Sequence, residues 1–120
     1  MVWSGIDKRR FRRVSFECVI TVKKRGTSLV FQTHTENASG GGICVILEKE
    51  LFKYTSVELE LSLPDDFPPV RCQGTVVWSI KRAEYVQKKP SQYDTGIEFV
   101  DLFEEDKARI EHIVNELLEY

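Results

Sequence analysis

The sequence is short of the residues that most chemistry needs. Its 120 residues include two histidines, three cysteines and one methionine. Cys18, Cys44 and Cys72 are odd in number, widely spaced and without a C-x-x-C, which argues against both a zinc site and a disulfide framework. Each falls in an apolar strand pattern and reads as a buried thiol. Neither His34 nor His112 has metal-ligand spacing or a nucleophile motif around it, so neither an enzyme nor a bound cofactor is expected. Apolar runs extend only a few residues, too short to span a membrane. Met1 to Gly5 is too short and too polar in its flanks for a signal peptide, so a cytoplasmic protein is expected. There is no internal repeat or low-complexity stretch, and the length suits one domain.

What is present is 42% hydrophobic and 30% charged, the balance of a folded chain. The net charge is −2, which argues against a general nucleic-acid coat. The charge is uneven, however. Lys8 to Arg25 is strongly basic, with Glu17 its only acid, whereas Glu98 to Tyr120 is acidic, opposed only by Lys107 and Arg109. A local positive field suits a small anion better than a long polymer.

Period-two alternation marks the strands. Ser15–Lys23 sets Phe16, Cys18, Ile20 and Val22 against Glu17, Thr21 and Lys23, and Leu29–Thr35 returns after a turn in which Gly26 is free to take positive φ. Ile43–Leu47 is a near-continuous apolar run. The polar connection after it is anchored by Leu51, Phe52 and Tyr54, and Val57–Leu63 alternates cleanly before Pro64. Val70–Lys81 is the longest strand, with Cys72, Val76, Trp78 and Ile80 on one face and a bulge or a sharp bend expected at Gly74. Ala83–Tyr93 reads as a loop and Thr95–Val100 as the last strand. A helix ends the chain, capped by Asp101 with Glu104 as in a capping box. Phe103, Ile110, Ile113, Val114, Leu117 and Leu118 form its apolar stripe, to be buried on the domain's own sheet or on a partner. Six short strands and a terminal helix predict a mainly β fold: a six-stranded antiparallel barrel over 15–120, preceded by a flexible arm over 1–14.

Two stretches carry chemistry. Lys8-Arg9-Arg10-Phe11-Arg12-Arg13 packs five cations into six residues. Arginine's planar fork bonds two acceptors at once, pairs with phosphate oxygens or with guanine O6 and N7, and stacks on bases. Asn37-Ala38-Ser39-Gly40-Gly41-Gly42 offers an amide, a hydroxyl and backbone that a ligand can approach closely. Taken singly, the first reads as a solvated basic tail and the second as an ordinary turn. Together, Arg9-x-x-x-Arg13 and Asn37-x-Ser39-x-x-Gly42 resemble the paired signature of PilZ domains, bacterial receptors for cyclic di-GMP. Gly74-Thr75-Val76-Val77-Trp78 and Gly96-Ile97-Glu98-Phe99-Val100-Asp101 sit where that family has its later strands.

The resemblance implies a PilZ-like split barrel with a C-terminal helix and a cyclic di-GMP site. Arg9 and Arg13 would contact phosphate and the outer edge of guanine, with Arg10 as an auxiliary, and Asn37, Ser39 and Gly42 would wrap the other side of a guanine. It also implies an adaptor, monomeric or homodimeric, that orders its arm on ligand and signals to a partner protein. Asn37 is within the family's pattern but lacks a carboxylate. Lys8, Arg12 and Trp3 have no assigned role. Two alternatives differ in kind. One is a single-stranded nucleic-acid binder stacking bases on Phe11, Phe31 and Trp78; the other is a PilZ-like module that binds only protein.

Overall fold

Alternating side chains become the two faces of a closed sheet. A computed structural model describes residues 19–27, 29–82 and 91–118, with the backbone alone at 34–37 and 117–118. The strands are β1 (Val19–Lys24), β2 (Val30–Ala38), β3 (Gly42–Leu47), β4 (Ser56–Ser62), β5 (Val70–Lys81) and β6 (Tyr93–Phe99), followed by helix α1 (Glu104–Leu118). They close into a barrel in the order β1-β2-β3-β6-β5-β4, every pair antiparallel. The first part of the strand expected over Ser15–Lys23 and the arm over 1–14 lie outside the described residues, as does most of the loop expected over Ala83–Tyr93. Gly26 takes φ 78° in the β1–β2 turn, as its position requires.

The inward residues are those the alternation picks out: Ile20 and Val22, Ile43, Val45 and Leu47, Val57, Leu59 and Leu61, Val70, Cys72 and Val76, and Ile97. Helix α1 adds Ile110, Ile113 and Val114 to the same core, so its stripe packs on the domain's own barrel. Burial of each such side chain stabilises by roughly 1.5–3 kcal/mol. Arg109 fixes the helix to the β4–β5 loop: its Nη2 donates to Asp65 Oδ1 at 3.0 Å, and its guanidinium lies 5.6 Å from the Phe67 ring centre. Cys44 and Cys72 are buried. The Cys72 thiol is pushed up to about 12, first by burial and then by the carboxylates of Asp101 and Asp106, so it stays protonated and unreactive.

Four local expectations are corrected. Helix α1 starts at Glu104, and Asp101 does not cap it; Asp101 Oδ1 accepts the backbone N–H of Gln73 at 2.6 Å. The reason is that β6 ends at Phe99, so beyond the Val100 N–H bond to Gln73 O the β5 ladder needs another acceptor. Phe103 stands exposed before the first helical turn and off the buried stripe. Only Leu51 anchors the β3–β4 connection, because Phe52 and Tyr54 are exposed. Tyr54 has φ 73° in a turn closed by Thr55 N–H donating to Phe52 O, a conformation usually left to glycine. Finally, Gly74 is not a bulge. It pairs regularly with Val57 and Phe99, and a Cβ there would stand 2.6 Å from Ile97 Cγ2.

Candidate ligand-binding site

Strand β2 continues further than its polar composition suggests and carries Asn37 and Ala38 to the turn. The turn is held by its own hydrogen bonds. Ser39 N–H donates to Gly42 O at 3.0 Å, and Gly41 N–H donates to Ser39 Oγ at 3.1 Å. Gly41 O accepts the N–H of Phe99 at 3.0 Å, tying the turn to the end of β6. Ser39 is fully buried, so its hydroxyl shapes the turn and keeps one hydrogen to donate. Gly42 opens β3 opposite Glu98. Asn37, Ser39 and Gly42 are therefore brought together, two on strands and one in the turn. Arg9, Arg10 and Arg13 lie outside the described residues.

Two irregularities set the surface beside this turn. Pairing of β2 with β3 shifts between Thr35 and Asn37, and pairing of β5 with β6 shifts between Val76 and Trp78. Each inserts one residue and reverses the facing of the strand beyond it. Val76 is fully buried opposite Ile97, but Trp78 falls opposite Gly96 on the outer face. This corrects the expectation that Trp78 and Ile80 share the core face with Val76; Ile80 is exposed opposite Asp94. The indole lies on Gly96, where a Cβ would stand 2.3 Å from Trp78 Cε2 and Nε1. Asn37 pairs with Cys44, Cys44 with Gly96, and Gly96 with Trp78. The four positions thus form one row across β2, β3, β6 and β5, about 14 Å long at the usual strand spacing.

Sequence alternation missed Trp78; the signal for it was Val76-Val77, two β-branched residues in succession, which break the period before the tryptophan. Gly96→Ala is expected to displace the indole and to cost about 1–3 kcal/mol, as overpacking does. Thermal unfolding checks this, and an unchanged midpoint would show that the indole is not held against Gly96.

The rows on either side are acidic. Glu98 lies between Gly42 and Thr75, and Asp94 between Ile46 and Ile80, with Arg82 Nη1 3.8 Å from Asp94. The described depressions lie elsewhere: one of about 400 Å³ includes Thr21, Glu60 and Arg71, and one of about 490 Å³ includes Phe31, Ile46 and Gln92. Among the described residues no group of three or more His, Cys, Asp or Glu side chains is placed to hold a metal, and no helix is long and apolar enough to cross a membrane. His112 is exposed and pairs with Glu116 along the helix at 2.9 Å.

The family model for the PilZ domain matches residues 7–116. The chain belongs to the PilZ family. No curated protein sequence matches it. Among solved structures, this PilZ domain superposes on the PilZ domain of Escherichia coli YcgR with cyclic di-GMP at TM-score 0.70 and 15% identity, over 93% of this chain and 92% of that one. The Bacillus subtilis inhibitor of motility MotI gives TM-score 0.75 at 16% identity, over 93% of this chain and 51% of that one. The MrkH–cyclic di-GMP complex of K. pneumonia gives 0.73 at 17%, over 92% and 52%. The chain spans about half the length of MotI and MrkH. At such identities the likeness is one of fold, and the PilZ barrel and helix expected from the sequence are what the structure has.

Proposed function

We propose that this PilZ domain is a receptor for cyclic di-GMP, bound against the Asn37–Ser39–Gly42 turn and the row ending at Trp78. The observation that carries it is the presence of both signature halves in the sequence within a PilZ match over 7–116, together with a shaped outer face beside the second half. Of the described side chains flanking this face, Glu98 and Asp94 are acidic and Arg82 is paired with Asp94, so the charge that balances two phosphates is assigned to Arg9, Arg10 and Arg13. Reach supports this. Arg13 precedes Val19 by six residues, at most about 20 Å of extended chain. Val19 pairs with His34, which lies only about 10 Å along β2 from Asn37.

In this mechanism the arm folds over the row when ligand arrives, Arg9 and Arg13 meeting phosphate and the O6–N7 edge of guanine. Trp78 offers an aromatic face for the base. The changed surface then acts on a partner protein. For the rival nucleic-acid role, Phe31 is partly packed against the core and has only part of its ring to offer a base.

Calorimetric titration with cyclic di-GMP beside GMP tests the proposal. Saturable binding of the cyclic dinucleotide and none of GMP in the same range is expected. No heat and no competition at millimolar ligand would leave a PilZ module that binds only protein.

A further inference from the structure

The signature fixes positions 37, 39 and 42 and leaves position 40 open, yet this chain has glycine there. Helix α1 runs beside it. A Cβ on residue 40 would stand 2.6 Å from Glu111 Oε1, 3.0 Å from its Cγ and 3.2 Å from its Cδ. The Glu111 side chain therefore lies along the backbone of the signature turn, its flexible end in the space that a side chain at position 40 would share. No described group forms a hydrogen bond or ion pair with its carboxylate. Its helical neighbours Ile110, Ile113 and Val114 are locked into the core, which fixes where the side chain begins. A charged acceptor thus stands exposed beside the turn, where a ligand bound there can reach it.

Resting on the receptor role above, we propose that Glu111 is a specificity residue of this site, its carboxylate accepting the N1–H and the N2 amino group of one guanine of the bound ligand. Those two donors are adjacent on guanine, and a carboxylate presents two acceptors to match. Adenine offers N1 as an acceptor at the corresponding place, so the same carboxylate repels it. A bare carboxylate would also repel the phosphates, which leaves the base edge as the part of this ligand that it can face. Asn37 brings no charge to the turn, and Glu111 supplies the anion from a different element. Base recognition then draws on β2, β3 and the helix at once.

The test is titration of wild type and Glu111→Gln with cyclic di-GMP, with its inosine analogue lacking the N2 amino group, and with cyclic di-AMP. Glutamine keeps the size and helical preference but exchanges one acceptor for a donor. Wild type is expected to prefer the guanine ligand to the inosine analogue by about tenfold or more, the worth of a charged hydrogen bond. Glu111→Gln is expected to weaken cyclic di-GMP by a similar factor and to narrow that preference, with the melting temperature unchanged. An unaltered affinity, or equal weakening of the guanine and inosine ligands, would overturn the assignment while leaving the receptor role standing. Failure of the wild type to bind any of the three would remove the receptor role itself, and this assignment with it.

Discussion

Arg13→Ala is expected to weaken cyclic di-GMP binding at least about tenfold without lowering the melting temperature. A charged hydrogen bond contributes about 1.5–3 kcal/mol, and its loss is a factor of about ten to a hundred or more. Two things single out Arg13 within the cluster. It is the arginine of the signature nearest to β1, so the least chain has to be ordered for it to reach the row beside Asn37. It also supplies part of the positive charge that the acidic flanks, Glu98 and Asp94, do not. Arg13→Lys separates fork from charge. Lysine keeps the cation but cannot bond two acceptors in one plane, so its affinity should fall between those of wild type and alanine. Calorimetry on the three proteins checks the series. Equal affinities would show that the arm takes no part in binding.

Ile110→Ala is expected to cost about 2–5 kcal/mol, a large fraction of the roughly 5–15 kcal/mol typical of a domain. Ile110 is fully buried, and with Ile113 and Val114 it joins the helix to the barrel core. Truncation removes its transfer energy and leaves a cavity between two elements. The barrel is closed by strand pairing and cannot collapse onto that space without losing register. Arg109 and Asp65 still tether the helix, but an ion pair near the surface contributes little by comparison. Denaturant unfolding checks the value, and a loss below about 1 kcal/mol would mean that the helix is not part of the core. The same variant should loosen Glu111 from Gly40, because the helix places it there.

Much of this was legible before any coordinates. Alternation located β5 as Val70–Lys81 to the residue and β4 within one, because strands buried on one face must show period two. The helix stripe likewise announced Ile110, Ile113 and Val114. Two of the failures share a cause: they depend on pairing, which a single strand does not record. The shift beyond Val76 exists only relative to β6, and it turned Trp78 from the core face to the outer face, half-buried on Gly96. Asp101 looked like a helix cap because its competing demand, the N–H of Gln73, lies on another strand. Asn37, Ser39 and Gly42 were recognisable by spacing. The contact of Glu111 with Gly40 was not, since nothing in either segment points to the other.

The strand order has a further consequence for how the chain reaches its native state. β6 lies between β3 and β5, so Gly42 meets Glu98 and Leu47 meets Tyr93 only after β4, β5 and β6 have been made. Until then β3 and β5 each present an unpaired edge, and the apolar run Ile43–Leu47 is open to neighbours. Such distant pairing also slows folding towards the millisecond-to-second range of β barrels. During synthesis the period between emergence of β3 and arrival of β6 is therefore when this protein is most exposed to aggregation, and when a chaperone would matter most.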